Sequence, residues 1–284
     1  MRKTLSVVIL ISLFACSLFA YEVVDASGKR FEFASKPNVA TVVPSLSQII
    51  FMIGSQDNLL GNSRYCNYPE GANAKVKLGG LIDPDYERIA TLKPDLFLLP
   101  DVPTGRNVAS RLKKLSVETF MFYGDGLESI SQNVRLMGQL LGNVKAAECL
   151  SESFEKKINE ARIKSIGKGQ KSLFMFGRMA AGKGSFAGDL LDACGLKNCA
   201  SVSNSVWPLL SKEFIITSAP EILFVAIAPN DSQEELLAKY KKDSAWAATP
   251  AVKNNRVYFI PRDLIEIPTP RILEVLDIIQ SKLD

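Results

Sequence analysis

The chain has 284 residues, with 34 lysines and arginines against 30 aspartates and glutamates, and its formal net charge is +4. It contains no histidine, which excludes His-ligated zinc, manganese and haem iron and removes the commonest general base of hydrolases. The basic residues show no clustered excess, so the composition does not predict a nucleic-acid-binding protein.

The first 20 residues predict an export signal. Arg2 and Lys3 precede an apolar run over residues 5–20, the pattern of a secretory signal peptide cleaved after Ala20. An alternative is a lipoprotein cleavage box over residues 13–16, with Cys16 as the lipidated first residue. The apolar run is shorter than the roughly 20 residues that a membrane-spanning helix needs. We therefore expect a periplasmic or otherwise extracytoplasmic protein secreted by this signal peptide, with a lipoprotein anchored at Cys16 as the alternative.

The residues after this signal alternate between strand and helix patterns. A hairpin with a Ser-Gly turn is predicted over residues 23–33. The predicted strands that follow are at 39–43, 59–63, 96–99 and 119–123, and the helices are at 45–53, 87–92, 108–114 and 130–141. Such alternation predicts a parallel sheet covered by helices on both faces. We assign residues 21–142 to this N-terminal lobe.

A long helix is predicted next, over residues 143–167. Residues 145–166 contain no proline or glycine, and apolar side chains recur at Leu150, Phe154, Ile158 and Ala161. At 1.5 Å per residue, this helix would be roughly 33 Å long and could run along two lobes. We expect a rigid connection, because a flexible linker would be rich in glycine and serine.

The alternation resumes in residues 168–284, which we assign to a C-terminal lobe. Its predicted strands are at 172–176, 222–227 and 256–260, and its helices are at 189–194, 213–218, 233–240 and 270–283. The predicted fold class is therefore α/β, with two doubly wound, Rossmann-like lobes joined by one long rigid helix. The carboxyl ends of the strands would face a ligand cleft between the lobes.

One short pattern occurs in both lobes. Asp85-Tyr86-Glu87 stands before Pro94-Asp95-Leu96 as Ser211-Lys212-Glu213 stands before Pro220-Glu221-Ile222. Each copy predicts a capped helix with a glutamate in its first turn, a proline stop and a buried strand. Each lobe therefore presents one carboxylate, Glu87 or Glu213, at an equivalent place. The structural alternative is that these carboxylates only complement helix N-termini, worth roughly 0.3–1 kcal/mol each.

Residues 177–185 form a Gly-rich loop between a predicted strand and a predicted helix, the context of a phosphate-binding loop. Gly184 occupies the position directly after Lys183, where a magnesium-ligating Ser or Thr is required. We expect the loop to shape a wall of the cleft instead.

Two cysteines of the C-terminal lobe are close in sequence. Cys194 and Cys199 could form a disulfide across a tight loop, which export would permit. Two small buried thiols are the alternative.

Further short motifs recur along the chain in a characteristic order. They are Pro44-Ser45, Tyr65-Cys66-Asn67-Tyr68-Pro69, Glu87-Arg88-Ile89, Lys93-Pro94-Asp95-Leu96, Cys194-Gly195, Trp207-Pro208, Trp246 with residues 250–258, and Pro270-Arg271. In this order and spacing they resemble the substrate-binding proteins of ABC importers for cobalamin, ferric siderophores and haem, and the resemblance covers nearly all of the chain after the signal. It implies a bilobed receptor that closes only slightly. It also implies that Glu87 and Glu213 dock on arginines of the ABC transporter permease.

The cobalamin-binding branch is the one that the chain resembles most. This branch implies ligand-binding aromatic residues at Tyr65, Phe176 and Trp207, where flat rings would pack on a flat macrocycle. Trp246 is expected to pack near the last strand. The polar contacts that we expect to supplement the rings are Arg178, Arg262 and Asp263.

Several positions depart from the family pattern. Two further pocket tryptophans are replaced near Leu81 and by Pro100, and the haem branch would have a ligating tyrosine near Leu81. The arginine expected four residues after Asp263 is Ile267. The arginines near predicted cleft loops are Arg64, Arg106, Arg178 and Arg262. Their guanidinium groups suit carboxylate or catecholate oxygens, so a ferric siderophore is an alternative ligand.

We therefore expect a monomeric, non-enzymatic binding protein for metal chelate uptake, with a cobalt corrinoid favoured over an iron siderophore or haem. The metal would arrive inside its chelator, so we expect no protein metal ligand, no cofactor and no catalytic residue. An alternative of another class is a secreted enzyme with paired carboxylates such as Asp83 with Asp85 or Glu87. The lack of histidine argues against that class.

Overall fold

The computed structural model describes residues 21–283, and within them strands and helices alternate along the chain. The strands are β1 (Tyr21–Val24), β2 (Arg30–Phe33), β3 (Val39–Thr41), β4 (Leu59–Asn62), β5 (Val76–Lys77), β6 (Leu96–Pro100), β7 (Thr119–Phe122), β8 (Lys171–Phe176), β9 (Met179–Ala180), β10 (Lys197–Asn198), β11 (Ile222–Ile227) and β12 (Val257–Pro261). The helices are α1 (Pro44–Met52), α2 (Tyr86–Leu92), α3 (Pro103–Lys113), α4 (Leu127–Leu140), α5 (Val144–Lys164), α6 (Phe186–Ala193), α7 (Lys212–Ser218), α8 (Gln233–Lys242), α9 (Ser244–Ala247), α10 (Pro250–Lys253), α11 (Arg262–Ile265) and α12 (Ile272–Ser281). The predicted signal peptide and Cys16 lie outside the described residues.

Two parallel sheets form the centres of two lobes. The N-terminal sheet has the strand order β5-β4-β3-β6-β7, and the C-terminal sheet has the order β10-β8-β11-β12. Strand β9 pairs antiparallel with β8, and β1 and β2 form the predicted hairpin. The predicted fold class of two doubly wound lobes is confirmed. The sequence patterns missed β5, β9 and β10, since two-residue strands are too short to show alternation.

Both faces of each sheet are covered, which explains the continuous apolar runs of the central strands. In β6, Leu96 and Leu98 enter the apolar cluster beside α1 and α4, whereas Phe97 and Leu99 enter the cluster beside α2 and α3. Strand β11 repeats this alternation with Ile222 and Phe224 on one face and Leu223 and Val225 on the other. Side chains of one strand therefore serve two cores.

The repeated motif folds in the same way in both lobes. The Asp85 carboxylate accepts a hydrogen bond from the Arg88 backbone N–H at 3.0 Å and caps α2. The Ser211 hydroxyl accepts from the Phe214 backbone N–H at 3.1 Å and caps α7. At the far end of each helix, Lys93 and Ala219 adopt left-handed φ angles of 48° and 47°. The sequence repeat is therefore also a repeat of helix caps.

A second repeated contact joins each motif to its sheet. The Asp95 carboxylate accepts from the Asn38 backbone N–H at 2.7 Å, at the start of β3. The Glu221 carboxylate accepts from the Lys171 backbone N–H at 2.8 Å, at the start of β8. Because β3 and β8 occupy the same place in their sheets, the two lobes are built to one plan.

The long helix predicted between the lobes is α5, which has 21 residues and a length of about 31 Å. Its first half contributes Ala147 to the core of the N-terminal lobe. Its second half contributes Phe154, Ile158 and Ala161 to the core of the C-terminal lobe. No helix within residues 21–283 is long and apolar enough to span a membrane.

Helix α4 also straddles the lobes, which the sequence did not predict. Leu127 and Ile130 of its first turn lie in the C-terminal core, whereas Val134 and Met137 lie in the N-terminal core. The Arg135 guanidinium joins α4 to α5 through the carboxylates of Glu148 and Glu155, with N–O distances of 3.0 Å and 2.9 Å. Two packed helices, not one, therefore connect the lobes.

Polar contacts close the interface further. The Asp189 carboxylate of α6 accepts from the Leu127 backbone N–H at 3.0 Å, so one lobe caps a helix of the other. The buried Thr269 hydroxyl lies 3.4 Å from Gln48 Oε1. The Arg271 guanidinium lies 3.9 Å from the centre of the Tyr68 ring.

The predicted disulfide between Cys194 and Cys199 is not formed, and both residues are free thiols. Cys194 lies in the core beside α5 and α6, whereas Cys199 packs on the cluster at the opposite face of the sheet. The Cys199 thiol instead donates to the Ser218 carbonyl oxygen at 3.9 Å. Burial raises the pKa of Cys194 to about 12.

We predict that matched substitutions in α5 have very different effects on stability. Ile158→Ala removes a side chain that is 3% exposed and should lower the free energy of unfolding by about 2–5 kcal/mol. Ile163→Ala removes the same atoms from a side chain that is 84% exposed and should change it by less than about 0.5 kcal/mol. Urea unfolding followed by circular dichroism measures both values. Similar effects of the two substitutions would contradict the assigned packing of α5.

Candidate ligand-binding cleft

Two adjoining cavities lie between the lobes, at the carboxyl ends of the strands. The one on the C-terminal lobe has a volume of about 710 Å³, and the one on the N-terminal lobe has a volume of about 400 Å³. They share Asp125, Glu266 and Pro268 as lining residues. The lining residues at or next to strand ends include Pro100, Tyr123, Phe176, Ala226 and Arg262. This is the position at which doubly wound sheets bind ligands.

Trp207 stands at the centre of an aromatic wall in the larger cavity. Its ring meets the Phe176 ring edge to face, with centroids 5.0 Å apart and an interplanar angle of 88°. The Phe186 ring lies 5.3 Å from it on another side. Such edge contacts hold the indole in one orientation, so a flat apolar surface is already in place for a ligand.

The Gly-rich loop supports the segment that carries Trp207. The Ala180 backbone N–H donates to the Pro208 carbonyl at 2.9 Å, and the Gly182 N–H donates to the Val206 carbonyl at 2.8 Å. A Cβ on Gly182 would lie 2.4 Å from the Ser205 carbonyl oxygen, so only glycine permits this approach. The expected role of the loop as part of the cleft wall agrees with this packing.

Asp125 belongs to the N-terminal lobe and lines both cavities. It lies between Gly124 and Gly126, just after β7. Desolvation by burial raises the pKa of Asp125, and the nearby Trp207 side chain opposes this only in part. Its side chain is solvent-accessible in the unliganded protein and faces the space that a ligand would fill.

Charged residues of the C-terminal lobe complete the wall. Arg262 and Glu266 form an ion pair on one side of α11, and both line the larger cavity. Asp231 also lines it, and its carboxylate accepts from the Ala228 backbone N–H at 3.2 Å. Tyr240 lies beside them, and burial raises its pKa to about 12, so its hydroxyl stays protonated at neutral pH.

Three of the predicted ligand-binding residues, Phe176, Trp207 and Arg262, line the larger cavity together. Arg178 and Asp263 are exposed and line neither cavity. Arg178 lies in the tight turn between β8 and β9. Asp263 lies about 100° around the helix from its neighbour Arg262, which faces the cavity.

Tyr65 also lies outside the two cavities. It is 62% exposed, and its ring lies against Gly80, where a Cβ would be 2.8 Å from the ring. The neighbouring Leu81 lines the N-terminal cavity. The structure therefore places Tyr65 at the outer margin of the cleft.

The sequence analysis missed several lining residues, including Asp125, Phe186, Asp231, Tyr240 and Glu266. Asp125 carried a usable signal, because an acidic residue between two glycines directly after an apolar strand belongs to a strand-end loop. Tyr240 and Glu266 carried no such signal, because a position in or next to a helix does not show which face of that helix meets the cavity.

The two motif glutamates lie exposed at the first turns of α2 and α7. Each helix runs antiparallel to the strands, so both N-termini lie on the cleft side of their lobes. Neither Glu87 nor Glu213 has an ion-pair partner within residues 21–283. In the same residues no cluster of Cys, Asp and Glu could hold a metal ion.

Two lobes on one plan, a double helical connection and an aromatic cavity at the strand ends define a bilobed ligand-binding protein. Residues 39–264 match the family model described as periplasmic binding protein. The chain belongs to this family.

Its relatives include proteins named for a corrinoid. The cobalamin-binding protein of Halobacterium salinarum is 26% identical over 270 residues, covering 92% of this chain and 73% of the relative. The vitamin B12-binding protein of Vibrio parahaemolyticus is 24% identical over 244 residues, covering 84% and 86%.

Solved structures share the fold. The periplasmic vitamin B12-binding protein of Vibrio cholerae gives a TM-score of 0.73 at 21% identity, covering 87% of this chain and 97% of that one. An Fe³⁺-hydroxamate transport protein of Saccharomonospora viridis also gives 0.73, at 18% identity, covering 93% and 99%.

We predict that Asp125→Asn stabilises the unliganded protein at neutral pH. Because the pKa of Asp125 is raised in the folded state, stability falls as pH rises through the unfolded pKa and levels off above the folded pKa. The Asn variant has no carboxylate to ionise, so it lacks this loss of stability. Urea unfolding between pH 3 and pH 8 should show its advantage growing with pH and then becoming constant. Asp263→Asn serves as the control, because Asp263 lines neither cavity, and an equal gain in both variants would contradict the assignment.

Proposed function

We propose that this protein is the extracytoplasmic substrate-binding component of an ABC importer, which captures a metal chelate and delivers it to the membrane permease. The observation that carries the proposal is the aromatic wall around Trp207, set in a cavity between two lobes that are fixed relative to each other. Family membership and the corrinoid-binding relatives support a corrinoid as the preferred ligand. A ferric siderophore is the second candidate, and haem ranks below both.

Binding would rest on ring faces and apolar contact. Phe176, Phe186 and Trp207 form one wall, and Leu81 and Pro100 belong to the opposite lobe. A macrocycle placed between them would exchange water for apolar surface, worth roughly 25 cal/mol per Å² buried. The metal would stay in its chelator, so the protein need supply neither metal ligand nor catalytic group, and we propose no chemical conversion.

Delivery would use the two motif glutamates. Glu87 and Glu213 occupy equivalent places in the two lobes and lie on the cleft side, so a single partner could contact both while facing the ligand. We propose that basic side chains of the permease pair with them. We also propose that residues 1–20 direct export, with Cys16 as the lipid attachment site if cleavage occurs before it, and that the protein acts as a monomer.

We predict that a corrinoid binds with a dissociation constant below about 10 μM, a free energy of roughly 7 kcal/mol. Isothermal titration with cyanocobalamin, cobinamide, haem and ferric hydroxamates measures it. Trp207→Phe should weaken binding about fivefold or more, since it loses ring area that would pack on the ligand. Trp246→Phe is the matched control, because Trp246 lines neither cavity and touches the site only through the Tyr240 ring, 5.1 Å away; it should change affinity less than about twofold. The proposal fails if none of these chelates binds below that limit.

We predict that charge reversal at the two docking glutamates separates transport from binding. Glu87→Arg with Glu213→Arg should abolish chelate uptake by cells, because like charges would then face each other at the permease. Ligand affinity of the purified double variant should match that of the wild type. Glu152→Arg with Glu160→Arg, on the exposed side of α5, makes the same change in charge elsewhere. Normal uptake by the first variant would contradict the docking role.

A further inference from the structure

The cleft walls carry an excess of carboxylates. Asp125, Asp231 and Glu266 line the larger cavity, with Arg262 as the single basic lining residue. The adjoining cavity is lined by Asp125 and Glu266 and by no lysine or arginine. All of these residues belong to the described part of the chain. Even without Asp125, the lining carboxylates of Asp231 and Glu266 outnumber the one basic group, Arg262.

The arginines that could have attracted an anion are already paired. Arg262 is bound by Glu266, and Arg64 is bound by Asp83. The Arg106 guanidinium donates to the Asp101 carboxylate at 2.6 Å. Each partner lies in the same lobe as its arginine, so the pairs exist without a ligand. An anionic chelate would have to compete with these carboxylates for the guanidinium groups.

Arg178 is the remaining arginine of the expected set. It has no ion-pair partner among the described residues, but its side chain is exposed and does not line the cavity, although Gly177 and Met179 on either side of it do. Because its side chain lies outside the cavity, its charge would act on a ligand through intervening solvent, which screens it. It therefore offsets little of the negative charge within the wall.

A neighbouring cavity also has more acidic than basic lining residues. A cavity of about 660 Å³ adjoins the cleft at Asp125 and is lined also by Glu128, Asp189 and Asp192, with Arg162 as its basic residue. The field of these groups reaches the cleft entrance at low ionic strength. The local charge is thus negative on the walls and at one side, although the whole chain has a net formal charge of +4.

We propose that the cleft selects chelates by charge, accepting neutral or cationic complexes and rejecting anionic ones, and that Asp231 and Glu266 determine this specificity. The inference rests on the proposed function and narrows it. Like charges brought together in a partly desolvated site oppose binding. A catecholate complex or haem with free propionates would meet that opposition. A neutral corrinoid or a cationic trihydroxamate complex would not.

Two chelate series that differ only in charge test the proposal. The corrinoid series is cyanocobalamin, a derivative with one side-chain amide hydrolysed to a carboxylate, and a derivative with that amide extended by an aminoethyl group. The hydroxamate series is ferrioxamine B with its free amine, its N-acetyl form and its N-succinyl form. At low ionic strength, isothermal titration should find the cationic form at least about fivefold tighter than the anionic form. The ratio should shrink in about 0.5 M NaCl.

Two double variants test whether the dependence of affinity on ligand charge comes from the carboxylates of the cavity wall. Asp231→Asn with Glu266→Gln should reduce the ratio below about twofold or reverse it, because Arg262 is then released. Glu234→Gln with Glu235→Gln removes two exposed carboxylates of the same lobe that line neither cavity. This control should keep the wild-type ratio. Thermal unfolding of both double variants checks that they fold.

The outcomes separate the two proposals. Charge selection is overturned if the affinity does not depend on ligand charge, or if the anionic form of a series binds more tightly. It is also overturned if Asp231→Asn with Glu266→Gln keeps the wild-type ratio of affinities. Each of these outcomes leaves the proposed function standing. If no member of either series binds, the proposed function fails, and charge selection fails with it.

Discussion

The arrangement of the whole molecule depends on one apolar contact, the packing of α4 and α5 into both lobes at once. Leu127 and Ile130 from the first lobe and Phe154 and Ile158 from α5 share a core with the second sheet. Swinging the lobes apart would bring these side chains into water, at about 1.5–3 kcal/mol for each one fully exposed. The lobes therefore keep nearly one relative position, and the cleft exists before a ligand arrives. A preformed site binds without a large ordering cost, and its shape and charge decide what enters.

The duplicated plan and the cleft make different demands on the sequence. Helix caps, turns and strand starts recur in both lobes because each lobe folds around a parallel sheet built on the same plan. The cleft does not repeat. Trp207, with its two flanking phenylalanines, belongs to one lobe alone, and the carboxylates at Asp231 and Glu266 have no basic counterparts opposite them. The symmetric positions serve the scaffold and the outer contact points, whereas the asymmetric positions carry recognition.

Local patterns predicted most of the fold. The N-cap at Asp85, the proline stop at Pro94 and the apolar run of β6 each act over a few residues, so their outcome is readable without tertiary structure. Phe176 and Arg262 were predictable as cleft residues because they end parallel strands. Cys194 and Cys199 show the limit of such reasoning. The two-residue strand β10 lies between them and sends their thiols to opposite faces of the sheet. Nothing in the spacing of the two cysteines reveals this. In the same way, the sequence around Glu266 does not show which side of α11 this residue occupies.

The free thiols have a consequence for how the protein matures. Residues 21–283 hold their structure by apolar packing, helix caps and ion pairs, with Cys66, Cys149, Cys194 and Cys199 all reduced. Cys194 is buried and has a pKa raised to about 12, so it is a poor nucleophile at neutral pH. Folding would then need neither an oxidant nor a disulfide isomerase. Among these four cysteines only Cys149 is exposed, so oxidation of the folded protein would begin at the surface of α5 and not in either core.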